Sequence, residues 1–157
     1  MKKVTRYFVV LIFFTLFSFQ ESSAELLKPN SKFKPFDVVK IQLGALKNNN
    51  KPYKNAGIEQ TWEFAHPSNK NFTGPLSRFI KLLNDEGYNI LLNHIEHKVV
   101  EVYKSEKKFI YEVTILDGEK NFFKYNWQIE KFLNEGSLNN CWLTTSVSLP
   151  VSLGSSI

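Results

Sequence analysis

The chain has 157 residues, with 20 Lys+Arg against 15 Asp+Glu for a formal charge of +5, and one cysteine, Cys141. A lone cysteine excludes an internal disulfide, so stability has to come from a hydrophobic core, which 14 Phe, 6 Tyr and 3 Trp can fill. Cys141 falls in an alternating strand pattern, which reads as a small buried hydrophobe rather than a reactive thiol.

Lys2, Lys3 and Arg6 precede an apolar run from Phe8 to Phe19, and Ser22-Ser23-Ala24 follows it. This is the order of a secretory signal peptide over residues 1–24. The run offers 12 residues, where a spanning helix needs roughly 20 to cross about 30 Å of hydrocarbon. Cleavage after Ala24 is expected to leave a protein without a membrane anchor, periplasmic or secreted. Losing Lys2, Lys3, Arg6 and Glu21 leaves 17 basic against 14 acidic residues, a formal +3. That small, scattered excess points away from a nucleic acid or an anionic lipid as partner.

Residues 25–34 are polar and carry Pro29, a flexible lead-in to a single domain over 35–150. Pro35 suits a first helical turn, and Phe36, Val39, Leu43 and Leu46 follow at helical spacing. Asn48-Asn49-Asn50 ends this helix. Ile58, Thr61, Trp62 and Ala65 share one face of a second helix, which His66-Pro67 stops because the residue before proline leaves the α region. Thr73-Gly74-Pro75 reads as the start of a third helix with Thr73 as its cap, Leu76, Phe79, Ile80 and Leu83 as its core stripe and Gly87 at its end.

From Tyr88 the period changes to two. Ile95, Val99 and Tyr103 suggest one inward face while Val100 and Val102 suggest the other, so a bulge is expected there and the side of Glu101 stays open. Phe109, Tyr111, Val113 and Ile115 form one alternating strand, and Asp117-Gly118 supplies a tight hairpin turn. Phe123, Tyr125, Trp127 and Ile129 form the next. After a Glu135-Gly136-Ser137 turn, Cys141, Leu143, Thr145, Val147 and Leu149 form a third, ended by Pro150. The apolar odd positions predict a meander with one face on a helical core, an α+β domain, with 151–157 as a flexible tail.

Helices followed by a curved antiparallel meander resemble the nuclear transport factor 2-like (cystatin-like) cone. The run Gly57-Ile58-Glu59, Trp62-Glu63-Phe64-Ala65-His66-Pro67-Ser68-Asn69, Thr73-Gly74-Pro75-Leu76 and Arg78-Phe79, with Val39, Gln42-Leu43 and Ala45-Leu46 before it, resembles the family domain of unknown function 4864 over roughly residues 35–150. The resemblance implies the cone fold and carries no catalytic residue over. His66 departs from the small residue expected before Pro67.

In such a cone, chemistry needs an acid or base inside the apolar mouth, and the candidates are Glu101, His97 and Tyr111. His94 and His97 are three apart on the expected strand and so face opposite ways, reading as solvated histidines rather than a metal site. No paired cysteines, phosphate loop or Gly-x-Ser-x-Gly elbow is present, and neither metal nor cofactor is expected. Trp62, Phe79, Tyr111, Tyr125 and Trp127 fill the core or wall an apolar pocket. Asn71-Phe72-Thr73 is a glycosylation sequon. Ile110, Phe122 and Trp142 are even-numbered, so the register turns them outward as a patch suited to a homodimer. The expected function is therefore an exported non-enzymatic domain binding a small apolar ligand or a protein partner; the alternative is an isomerase-, dehydratase- or hydrolase-type enzyme using an acid or base in the cone.

Overall fold

The computed structural model of the protein describes residues 25–155, so the expected leader lies outside the described residues. Four helices are followed by a five-stranded antiparallel sheet: α1 (Pro35–Lys47), α2 (Ala56–Glu63), α3 (Pro67–Thr73), α4 (Leu76–Asn84), then β1 (Glu96–Lys104), β2 (Lys108–Leu116), β3 (Asn121–Lys131), β4 (Trp142–Val147) and β5 (Val151–Ser155), with a short 3-10 turn at Asn89–Leu91 before β1. The sheet order is β1-β2-β3-β4, and β5 pairs with the other half of the β3 edge that β4 uses. No helix among the described residues is long and apolar enough to cross a membrane.

The core forms where the apolar stripe of α1 meets the odd positions of β2 and β3. Val38, Val39, Leu43 and Leu46 are fully buried against Tyr111, Val113, Ile115, Tyr125, Trp127 and Ile129. Each such side chain contributes roughly 1.5–3 kcal/mol by leaving water. Phe36, expected inside, is 44% exposed and lies at the rim 5.9 Å from Tyr111; Val38 holds the inward place. Helix α2 lies close to α1 because Gly57 has no side chain: a Cβ there would sit on the Ala45 carbonyl oxygen and 2.8 Å from Asn49 Cα. Asn49 does more than end α1. It is buried, and its Oδ1 accepts the Ile58 amide at 3.0 Å, satisfying a donor in the first turn of α2.

The second helix ends at Glu63, before the expected stop at His66-Pro67, so Ala65 lies beyond it in a bridge to Thr144, and Pro67 starts another helix. Its ring occupies the first position of α3, where a missing N–H costs nothing, and His66 Nδ1 accepts the Ser68 amide as the cap. Thr73 therefore closes α3, with its hydroxyl on the Asn69 carbonyl, and does not cap α4. Gly74, at φ 84°, makes the turn between the two. At the far end of α4 the cap is Asp85 rather than Gly87.

The expected bulge lies in β1. Glu101 pairs with Tyr111 but Tyr103 pairs with Ile110, leaving Val102 as the extra residue. A second shift, which the alternation did not suggest, separates Gln128 and Ile129 on β3: Gln128 pairs with Ser146 but Ile129 with Thr144. This slip reverses the parity of the first half of β4 while Val147 stays opposite Trp127, so Thr144 is buried and Trp142 packs on the core side, edge-on to Phe109 at 5.2 Å. The β2–β3 turn is longer than a two-residue hairpin. Asp117 Oδ1 accepts the Glu119 and Asn121 amides, and Lys120 rather than Gly118 takes the positive φ.

Both expected flexible ends are held. Leu27 and the Gln60 carboxamide exchange two hydrogen bonds of 2.8 Å, and Lys28 reaches Glu63 at 2.9 Å, which fixes the lead-in on α2. Pro150 marks a corner instead of an end, because the expected tail supplies β5.

Candidate functional site

Helices α1 to α4 and strands β3 and β4 meet at an interior chamber of about 60 Å³ open to the centres of water-sized groups. At roughly 10–15 Å³ per water on this measure, it has room for about four such groups. Its walls are aliphatic and aromatic: Leu46 from α1, Phe79, Leu82 and Leu83 from α4, Leu91 from the 3-10 turn, and Val147 from β4. Its floor is polar. Trp127, turned inward by the β3 alternation, donates its indole N–H to Gln42 Oε1 at 3.1 Å and to Thr144 Oγ1 at 3.2 Å. The Thr144 hydroxyl donates to the same Gln42 oxygen at 2.5 Å, and Gln42 Nε2 donates to the Thr61 carbonyl at 3.0 Å. Gln42, Thr61 and Thr144 are all buried, so this network links α1, α2, β3 and β4 in a low-dielectric setting where each bond holds firmly.

The chamber adjoins an open groove of about 330 Å³ between α3, α4 and β4. Asn69, Thr73, Leu82, Tyr88 and Val147 belong to both. Tyr88 stands at this junction with its phenol donating to the Val147 carbonyl at 3.0 Å, and burial raises its pKa above the usual phenol value. Phe72, 85% exposed, forms the outer lip. Among the residues lining the chamber the phenol of Tyr88 is the one ionisable group; no carboxylate, imidazole or ammonium lines it.

Of the five expected ligand-wall aromatics, Phe79 and Trp127 line the chamber. Trp62 packs on Phe79 at 5.0 Å and carries the Lys70 ammonium over its ring at 5.2 Å. Burial lowers the pKa of Lys70, with Glu63 opposing and Lys28 reinforcing the shift. Tyr125 is core, its hydroxyl donating to the Gly87 carbonyl at 2.7 Å, and burial holds its pKa well above the usual value. Tyr111 pairs with Trp127 across β2 and β3 but packs between Phe36 and Phe109, outside the chamber lining, and burial pushes it up to about 12 with Glu101 and Asp37 adding to the shift.

No family model, curated protein or solved structure matches this chain. The site is therefore read from its own residues. Glu101 lies opposite Tyr111 on the open edge strand and is exposed, with Lys104 at 4.0 Å. It is not a desolvated acid. His97 is engaged elsewhere: its Nδ1 is 2.7 Å from His94 Nε2, while His94 Nδ1 is 2.7 Å from the Leu91 carbonyl. The expectation of two solvated histidines on opposite faces does not hold, because His94 precedes β1 and is 2% exposed. Strand alternation does not apply before the strand begins. Among the described residues no group of three or more His, Cys, Asp or Glu could hold a metal ion.

Ile110 and Phe122 do lie on the outer sheet face, opposite Gln128 and Leu116 respectively, and Trp142 does not. Gln42, Thr61, Asn69 and Thr144 were absent from the expected site. Gln42 did carry a signal, a carboxamide in the middle of the apolar stripe Val39, Leu43, Leu46. Thr144 carried none that alternation could read.

Proposed function

We propose that this chain is an exported, non-enzymatic domain that binds a small apolar ligand in the chamber and adjoining groove. The observation that carries the reading is the chamber itself: apolar walls, a hydrogen-bonded polar floor, and a groove leading from it to the surface. The catalytic alternative required an acid or base inside, and Glu101, His97 and Tyr111 all lie outside the chamber lining. The α+β order, with the sheet packed on α1, supports the nuclear transport factor 2-like cone as its architecture, and the leader supports the periplasm or extracellular space as its location.

Native mass spectrometry of the protein purified from its own host tests this directly. The expected spectrum has Glu25 as the first residue and a retained neutral ligand of low mass. A chain that keeps Met1 in a membrane fraction sinks the export reading; a bare chain from every preparation, with substrate turnover in the same extracts, sinks the binding reading.

A further inference from the structure

The floor of the chamber leaves two hydrogen-bonding valences unused, and they are of opposite kind. Trp127 Nε1–H is a donor with no acceptor capacity, so the Gln42 atom facing it has to be the carbonyl oxygen, which sets the orientation of the carboxamide. Gln42 Nε2 then carries two N–H bonds. One goes to the Thr61 carbonyl, and among the described residues no acceptor meets the other. The Thr61 hydroxyl donates to the Gly57 carbonyl at 2.8 Å, and among the described residues no donor reaches its oxygen. Both side chains are buried and both line the chamber, so what occupies the chamber is what completes them.

Resting on the binding function proposed above, we propose that the chamber takes the primary-alcohol end of an alkyl chain, hydroxyl first. A hydroxyl is the smallest group that accepts from the Gln42 N–H and donates to Thr61 Oγ1 at once. A carboxylate or an ammonium group is rejected, because the lining holds no counter-charge and an unpaired buried ion is far costlier than a buried hydroxyl with both bonds made. The small chamber volume fits the head and the first few methylenes, and the remaining chain runs past Tyr88 into the groove under Phe72.

The test titrates the purified protein with 1-octanol, octanoate, octylammonium and 1-fluorooctane, reading heat of binding together with the NMR shift of the Trp127 indole N–H. Octanol is expected to bind at least about tenfold tighter than each of the other three and to move the indole signal. Gln42→Leu should weaken octanol about tenfold and leave 1-fluorooctane within about twofold. Should that variant not fold, Thr61→Val gives the same contrast, since its lost donor bond is local to α2. If octanoate or 1-fluorooctane binds as tightly as octanol, the hydroxyl assignment is overturned while the pocket function stands. If none of the four moves the indole signal, the chamber holds water only and both readings fall.

Discussion

At the scale of single residues, the histidine pair makes the sharpest claim. His94 Nδ1 faces a carbonyl and so carries the proton, which leaves its Nε2 lone pair to accept from His97 Nδ1–H. A proton added to His94 Nε2 sets two N–H groups against each other. Burial holds His94 down to about 4 from an ordinary 6.5; the Leu91 carbonyl opposes the shift, and His97 and Lys47 reinforce it. His97 is lowered too, by burial first and then Lys47, against Glu96. Between those two values the unfolded chain binds a proton at His94 that the native chain refuses, so stability falls as pH drops through that window. The interval from 6.5 to about 4 corresponds to about 3 kcal/mol. Urea unfolding at pH 7 and pH 4 should show the wild type losing about that much more than His94→Gln; equal losses would remove the pair from the account. This pair is hidden in the sequence because alternation does not show that the strand starts two residues after His94.

Among the elements, the α1–α2 contact is decided by one missing methyl group. In an isolated helix Gly57→Ala should stabilise by about 1 kcal/mol. Here the added Cβ meets the Ala45 carbonyl and the Asn49 backbone, neither of which yields as a side chain tip would. The helices have to part, and the net expectation is a loss of about 3 kcal/mol. A chemical melt of Gly57→Ala with an unchanged or higher midpoint would show that the close approach is not as described. The same contact organises the site, since α2 carries Thr61 to the Gln42 carboxamide. Helix α3 teaches the complementary lesson: His66-Pro67 was legible as a break, yet a break and a start share the same residues when proline takes the first helical position.

For the molecule as a whole, the outer face of the sheet presents a surface suited to a partner. Val102, 54% exposed at the β1 bulge, and Ile110 stand with Asn126, Gln128 and Ser146 around a shallow concavity of about 480 Å³. Around them Glu112 pairs with Lys124 at 3.2 Å and Lys108 with Glu130 at 3.8 Å, a polar border to an apolar centre. We propose a second copy of the chain as the partner of this face. Sedimentation should find a dimer at micromolar concentration and a monomer for Ile110→Glu, whose charge would be buried unpaired at the contact. Trp142→Ser is the wrong variant for this purpose, because Trp142 packs inward and its loss would weaken the core. A wild-type monomer at that concentration ends the proposal.

Composition and period were enough to show an α+β chain, the long first helix, the inward odd faces of β2 and β3, and a bulge near Glu101. These are local or near-local properties: a helical stripe or a strand alternation repeats within a few residues, so the pattern carries its own evidence. The site was decided by tertiary structure. Gln42, Thr61, Trp127 and Thr144 meet across as many as 102 residues of chain, and Thr144 points inward only because β4 slips by one against β3. A one-residue slip exchanges the two faces of a strand, and it leaves no trace in the strand's own alternation. The same slip moved Trp142 from the expected interface to the core, and pairing with the free half of the β3 edge turned the expected tail into β5. The sequence supplied the apolar walls; which polar groups share the floor depended on the register of strands far apart in the chain.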